Sequence, residues 1–151
     1  MADPAAARPP RPGVGSVGVV TVEEINEFVR REFPGVTGGC EAVGDGWAIS
    51  LIDSSTVGLR PGGIISGPTI FGLCDGALWY ACFTKIGIEP MALTSELSLR
   101  FLSPARGPFI RARADLVKVG RRSIVGNVTV WTDDPARPVA IAQGTYVPPA
   151  R

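Results

Sequence analysis

The sequence contains no histidine in 151 residues. Imidazole is the most frequent general base, the usual partner of a serine or cysteine nucleophile and a common metal ligand. The chain therefore has no histidine general base, no histidine-activated nucleophile and no histidine-ligated metal site. Any catalysis by this chain must use carboxylates, hydroxyls, thiols or the dipoles of backbone amides.

Net charge and cysteine are also scarce. The chain has 15 Lys and Arg residues against 14 Asp and Glu residues, so no overall charge draws it to nucleic acid or to anionic membranes. The three cysteines, Cys40, Cys74 and Cys82, are odd in number and lack metal-ligand spacing, which predicts free thiols in a reducing compartment. We expect a cytoplasmic protein with no nucleic-acid or membrane partner.

The composition divides the chain into a lead-in and one domain. Residues 1–20 are rich in alanine, proline and glycine and have no apolar signal-peptide region, so they are predicted to be disordered. Residues 21–151 are long enough to form a single domain with its own core.

The first half of the domain predicts a helix and a hairpin. Thr21 can cap an amphipathic helix over residues 22–33, which Pro34 ends. Strands are predicted over residues 40–43 and 47–53, with glycines between them that permit a tight turn.

A glycine-rich loop over residues 60–68 then leads into a long apolar helix, predicted at about residues 68–85 with Gly67 as its cap. Asp75 is the only charged residue between residues 61 and 84. A helix that is apolar all round must be enclosed by protein or by lipid. This one is shorter than the roughly 20 apolar residues of a membrane span, so we expect a sheet to enclose it.

The pattern changes to period two after residue 91, which predicts four strands. In the first of these, the odd-numbered residues 93–101 share one face, with Thr94, Glu96 and Arg100 on the other. We expect an antiparallel meander. The predicted fold is therefore α+β, with an antiparallel sheet of about six strands wrapped around one long helix and preceded by a short helix.

Two features of the long helix could carry chemistry. A lone carboxylate on an apolar helix, Asp75, is costly to bury unless it is paired, hydrogen-bonded or functional. The alternative is an acid at a solvated or subunit-facing gap. The amide of Gly67 lies at the positive end of the helix dipole and can polarise a carbonyl oxygen, although capping alone also explains this glycine.

Other side chains of this helix are expected to pack. Cys74 adjoins Asp75, but an apolar helix disfavours its thiolate, so it is interpreted as a packing residue. Trp79 is expected in the core or an interface, whereas Leu78 could border an acyl channel.

Eight residues separate Gly67 from Asp75, which is roughly 12 Å along one helix. One helix therefore cannot easily direct both groups at the same carbonyl carbon. If both act together, the second must come from a neighbouring chain. This predicts a site across a two-fold dimer interface.

Four segments of the chain resemble, in order and spacing, the hotdog-fold acyl-CoA thioesterases of the PaaI-like (phenylacetate-degradation) group. The resemblance covers about residues 40–147 and rests on the segments SGPTIFGLCD, LTSELSLRFLSP, VKVGRR and AIAQGTYVPP. It implies a homodimer, with dimers pairing into tetramers, and no cofactor.

The resemblance also implies roles for three residues. The Gly67 amide would polarise the thioester carbonyl, and Asp75 of the opposite subunit would activate water or attack directly. Thr94 matches a family Ser/Thr position that helps to place the water. Asp75, Gly67 and Thr94 are therefore the candidate catalytic residues of an acyl-CoA thioesterase.

Coenzyme A carries phosphates, so its site should be basic. The resemblance assigns its nucleotide end to a turn formed by Lys118, Gly120, Arg121, Arg122 and Ser123. By composition alone, the same residues could form a solvated strand face and turn.

Two positions depart from the family pattern. Ser66 stands where the family has histidine, and Arg60 where it often has asparagine. Ser66 can supply a lesser hydrogen bond, and Arg60 can pair with an acyl carboxylate, with Asp75 or with a phosphate, so both are candidate substrate-binding residues. They also motivate an alternative, a non-catalytic acyl-CoA-binding or regulatory hotdog protein. The acyl group, whether aryl or short to medium aliphatic, stays open.

Overall fold

The computed structural model describes residues 20–150, so the predicted lead-in lies outside them except for Val20. The elements in chain order are α1 (Val22–Glu32), β1 (Gly39–Gly44), β2 (Trp47–Asp53), β3 (Leu59–Arg60), β4 (Ile64–Ile65), α2 (Gly67–Ile86), β5 (Leu93–Phe101), β6 (Phe109–Val119), β7 (Ile124–Trp131) and β8 (Ala140–Val147). Neither helix has the length and apolarity needed to cross a membrane.

Helix α1 begins where the sequence predicts it. The Glu24 amide donates to the Thr21 hydroxyl over 3.2 Å, and the Thr21 amide donates to the Glu24 carboxylate over 2.8 Å. This reciprocal capping box satisfies two amides that the helix itself leaves without partners. The apolar side chains Ile25, Phe28 and Val29 are buried in the core.

Six strands form one antiparallel sheet in the order β1-β2-β6-β7-β8-β5. The sheet packs around α2, whose apolar side chains, including Leu73, Ala77 and Phe83, are almost fully buried. This confirms the predicted α+β fold with one enclosed helix.

The expected simple meander of the last four strands was wrong. Strand β5 pairs with β8 rather than with its successor β6, and it lies at one edge of the sheet. The alternation of apolar residues reports which face of a strand is buried but carries no information about its neighbour. The partner of β5 depends on the position at which the chain leaves α2, because α2 crosses the sheet before β5 begins.

The predicted loop over residues 60–68 contains the small hairpin β3-β4. Pro61 and Gly62 (φ 85°) occupy the central positions of a turn closed by a hydrogen bond from the Gly63 amide to the Arg60 carbonyl oxygen, over 3.1 Å. A proline followed by a residue with positive φ is typical of a type II turn. The same residues that indicated a loop therefore form the turn of a hairpin.

The cap of α2 is Ser66, not Gly67 as predicted. Ser66 has extended backbone angles (φ −71°, ψ 154°), and its hydroxyl accepts a hydrogen bond from the Thr69 amide over 3.4 Å. Serine is a stronger cap than glycine because its side chain supplies an acceptor. Gly67 is consequently the first helical residue and Pro68 the second, and the helix ends before Gly87, as expected.

A bulge breaks the alternation predicted for β5. Thr94 pairs with Tyr146 and Glu96 pairs with Thr145, the next residue back along β8, so Ser95 is an extra residue. Thr94 consequently faces α2, on the same side of the sheet as Leu97. The sequence pattern placed Thr94 on the opposite face from Leu97, and the bulge corrects this.

Two glycines allow α2 to lie close to the sheet. A Cβ atom added to Gly126 or to Gly144 would lie 2.6 Å from a methyl carbon of Leu78, which is 1% exposed. Leu78 therefore fills the space that side chains on β7 and β8 would occupy. It belongs to the core, which corrects the expectation that it borders an acyl channel.

We expect Gly144→Ala to lower the free energy of unfolding by about 1–3 kcal/mol, because the added methyl collides with Leu78 and Leu97 in a close-packed interior. Urea unfolding at fixed protein concentration measures this difference.

Gly72→Ala is the matched control, since an added Cβ there meets nothing within 4 Å. In the interior of α2 it should be neutral or stabilising by about 0.5–1 kcal/mol. Equal effects of the two substitutions would contradict the packing role of Gly144.

Candidate active site

The start of α2 presents one amide that has no acceptor in the described part of the chain. Of its first backbone groups, Pro68 has no N–H and the Thr69 amide is occupied by the Ser66 hydroxyl. The Gly67 amide has no acceptor within the helix because it belongs to the first turn. It therefore combines a directed donor with the positive end of the helix dipole.

Gly67 lies on the ring of Phe101 at the end of β5. A Cβ atom added to Gly67 would be 3.4 Å from this ring. Both residues line a cleft of about 410 Å³ together with the exposed Arg60. Arg60 forms no ion pair with any residue between 20 and 150, so its charge is available. The structure thus groups Arg60, Ser66 and Gly67 at one end of α2.

Asp75 lies two turns further along α2, and its carboxylate is held by two hydroxyl groups. Thr94 and Tyr146 each donate a hydrogen bond to Asp75 Oδ1 over 2.6 Å. The Tyr146 hydroxyl also lies 3.0 Å from the carbonyl oxygen of Asp75. Within the described part of the chain, Oδ2 receives no hydrogen bond. The carboxylate is therefore fixed by one oxygen and free to act with the other.

Tyr146 is a functional candidate that the sequence analysis missed. It is 4% exposed, and burial, followed by the charge of Asp75, raises the pKa of its hydroxyl far above the usual range. It therefore keeps its proton and remains a donor. Its signal in the sequence is a lone tyrosine that follows Ala140, Ala142 and Gly144 on the inward face of β8.

The basic turn lies at the same end of the sheet as Asp75. Thr94 pairs with Tyr146, and Tyr146 pairs with Ile124, the first residue of β7. The candidate residues Gly120, Arg121, Arg122 and Ser123 precede Ile124 directly, and Lys118 Nζ donates to Ser123 Oγ over 3.3 Å. Both arginines are exposed. The predicted nucleotide-binding residues therefore belong with Asp75 and Thr94, not with Gly67.

A cleft of about 430 Å³ extends from Asp75 between α2, β2 and the end of α1. Its walls include Phe33 and Trp79, whose rings stack edge to face with centroids 5.5 Å apart. Trp79 packs against the core, as expected, and also lines this cleft. The cleft is apolar on most sides and carries one carboxylate, a combination typical of sites that bind apolar ligands.

Cys74 is next to Asp75 in the sequence, but its thiol is not a reactive group of the site. Its side chain is fully buried, and burial raises the pKa of its thiol to about 12. A thiol that stays protonated is a poor nucleophile. Cys74 is therefore a packing residue, as the sequence analysis indicates.

A family model of the thioesterase superfamily matches residues 62–139 of the chain. Among solved structures, a candidate thioesterase from Silicibacter sp. TM1040 is 27% identical, with a TM-score of 0.80 over 90% of this chain and 95% of that one. A thioesterase from Haemophilus influenzae is 17% identical, with a TM-score of 0.75 over 87% of this chain and 92% of that one. No curated protein sequence matches the chain.

The fold is also that of PaaI proteins. A variant of the phenylacetic acid degradation protein PaaI from Thermus thermophilus is 20% identical, with a TM-score of 0.65 over 82% of this chain and 99% of that one. The family model spans just over half of the chain and includes α2 and strands β5 to β7. The chain therefore belongs to the thioesterase superfamily and is a thioester hydrolase with the hotdog fold.

Proposed function

We propose that the protein hydrolyses acyl-CoA thioesters at a site shared by two copies of the chain. Asp75 of one subunit acts on a carbonyl that the Gly67 amide of the other subunit polarises. The observation that carries this proposal is the Asp75 carboxylate, which two hydroxyls hold by one oxygen only, beside an apolar cleft.

Two subunits are needed because the two groups lie at different places on one rigid helix. Eight residues of α2 separate them by about 12 Å, whereas a polarised carbonyl and its attacking group must share one carbon atom. A two-fold axis repeats both groups and creates two equivalent sites. The pairing of such dimers into tetramers stays a prediction.

The start of α2 and its middle then form complementary halves of one site. Arg60, Ser66 and Gly67 supply the carbonyl half, while Asp75 and the basic turn supply the other. Ser66 cannot replace a histidine as a base, and its hydroxyl already caps α2. Its contribution is to hold the helix start. The charge of Arg60 suits an acyl carboxylate or a phosphate.

Two reaction routes fit these residues. In the first, Asp75 takes a proton from water as the water oxygen attacks the carbonyl carbon. The Gly67 amide holds the resulting oxyanion, and the C–S bond breaks to release a thiolate that takes up the proton. The Thr94 oxygen keeps lone pairs that can position this water. In the second, Asp75 Oδ2 attacks the carbon, the thiolate leaves, and water hydrolyses the mixed anhydride.

A single turnover in heavy-oxygen water separates the first route from an anhydride that is hydrolysed at its aspartyl carbonyl. The first places the heavy oxygen in the product acid alone, whereas hydrolysis at the aspartyl carbonyl of the anhydride places it in Asp75.

The thioester carbonyl is already activated, so a carboxylate and an oriented amide suffice without imidazole.

The substrate has an aryl or a short to medium aliphatic acyl group. The cleft beside Asp75 offers aromatic and aliphatic walls, including the rings of Phe33 and Trp79. The exposed Arg121 and Arg122 lie at the same end of the sheet and suit the phosphates of coenzyme A.

A first prediction from this proposal tests the shared site. Asp75→Asn should slow thiol release from phenylacetyl-, benzoyl- and aliphatic CoA esters by about 100- to 10,000-fold, the usual contribution of a positioned base. Gly67→Pro should also be inactive, because it removes the amide. Proline is accepted at the first helical position, and the ψ of 154° at Ser66 suits the residue before it.

Mixing and refolding the two inactive variants together should restore about a quarter of the wild-type activity, since half of the dimers are mixed and each holds one intact site. Gly67→Ala is the control that keeps the amide and should stay active. A mixture without activity would contradict a site built from two chains, and an active Asp75→Asn variant would contradict the mechanism.

The second prediction concerns Tyr146 as a positioning residue. Tyr146→Phe should lower kcat by about 10- to 100-fold, the effect of losing a hydrogen bond to a charged group. The KM should change little, because the hydroxyl acts through Asp75. Steady-state kinetics and urea unfolding on the same samples distinguish this from a loss of stability. A raised KM at unchanged kcat would sink the assignment.

The third prediction concerns the basic turn. Replacing Arg121 and Arg122 by alanine should raise the KM for an acyl-CoA by about tenfold, or ~1.4 kcal/mol, and leave kcat unchanged. The same acyl group on N-acetylcysteamine, which lacks the nucleotide, should be hydrolysed as by wild type. Arg137→Ala, in another exposed loop, is the matched control. Equal losses on both substrates would exclude a nucleotide-binding role.

A further inference from the structure

The free edge of the sheet lies between the two halves of the site. Strand β5 has nine residues and contains no proline, and among residues 20–150 it pairs on one side only, with β8. The opposite edge, β1, is contacted by α1. An exposed edge of this length is a template for pairing with another strand. A second copy of β5 is the occupant that the proposed function requires.

Two charges on this edge have no ion-pair partner among the residues that the structure describes. Glu96 and Arg100 are exposed on the face of the sheet that points away from α2, and neither takes part in an ion pair among residues 20–150. Four residues of extended strand hold them about 13 Å apart. They cannot neutralise each other within one chain.

The geometry of antiparallel pairing restricts how two copies can meet. Residues directly opposite each other point to the same face, so a slip by one residue would place the two α2 helices on opposite faces of the joined sheet. Among the registers that keep both helices on one face, the register in which Ser98 meets Ser98 of the partner subunit places Glu96 opposite Arg100 of the partner subunit. A slip by two residues leaves Ser98 opposite one of these charges.

The site selects the same register independently. Because Ser95 is an extra residue, Thr94 then lies opposite Phe101 of the partner subunit. Asp75 is bonded to Thr94, and Gly67 lies on Phe101. This register therefore brings Asp75 to Gly67 of the partner subunit, as the shared site requires.

We propose that Glu96 and Arg100 form reciprocal ion pairs across the two-fold axis and set the register of β5 pairing that completes the active site. The link between this register and the active site rests on the proposed function. The ion pairs themselves are tested by measuring dimer formation alone. Both residues are positioning residues, since neither reaches the substrate.

Charge reversal tests the ion pairs. Glu96→Arg or Arg100→Glu alone places like charges opposite each other twice per dimer, so each should raise the dissociation constant of the dimer by about tenfold or more at low salt. The double variant restores opposite charges and should return to within about threefold of wild type. Sedimentation over a concentration series, with circular dichroism as a folding check, measures this.

Thiol release is measured at a protein concentration between the dissociation constants of the wild-type dimer and of the single-variant dimers. At this concentration it should fall with each charge reversal and recover in the double variant. Glu27→Arg, an exposed reversal on α1, is the control for charge alone. Single variants that assemble like wild type, or a double variant as weak as the singles, would overturn the proposal. If the charge variants change dimerisation as expected but the wild-type dimer hydrolyses no acyl-CoA, the proposed function is contradicted and the register of β5 pairing is still supported.

Cross-linking reads the register directly. Ser98→Cys places two thiols opposite each other at the axis, with Cβ atoms about 4.5–5.5 Å apart, and diamide should convert the dimer to a disulfide-linked pair. Gln143→Cys, the exposed neighbour of Ser98 on β8, lies one strand further from the axis and should not cross-link. The three native cysteines are buried. Cross-linking of neither variant, or of both equally, would overturn the register.

Discussion

The enclosure of a nearly uncharged helix by a sheet is the constraint on which the rest of this structure depends. Leu78 reaches the sheet only because Gly126 and Gly144 leave room for it. An enclosed helix of this kind can keep a single carboxylate only if hydroxyl groups compensate for its lost hydration. Tyr146 and Thr94 provide this compensation through one oxygen. The packing that stabilises the fold therefore also orients the carboxylate to which the proposed mechanism assigns the chemistry.

The same enclosure explains why the proposed site uses a second chain. A rigid helix separates the Gly67 amide from the Asp75 carboxylate, and no rearrangement of side chains within one subunit can bring a backbone amide two turns along its own axis. Symmetry provides the missing half without any additional element. The bulge at Ser95 turns Thr94 toward the helix, and in the proposed dimer it also aligns the two halves of the site in one register.

Departures from the family pattern become intelligible in this arrangement. The proposed mechanism uses a carboxylate, two hydroxyls and one amide, so the absence of histidine removes no group that it needs. Ser66 caps α2, and in the proposed site Arg60 adds a positive charge to the half that holds the carbonyl. Membership of the thioesterase superfamily and the free oxygen of Asp75 together favour hydrolysis over a purely ligand-binding role.

The sequence by itself determined the two helices and the six strands of the main sheet, because periodicity, capping residues and glycine positions act over a few neighbouring residues. It identified the enclosed helix, its lone acid and the free amide near its start. It could not identify Ser95 as a bulge, β8 as the partner of β5, or Tyr146 as the donor to Asp75. These features depend on contacts between residues about 50 to 70 positions apart, and only the packing of the whole sheet around α2 selects them.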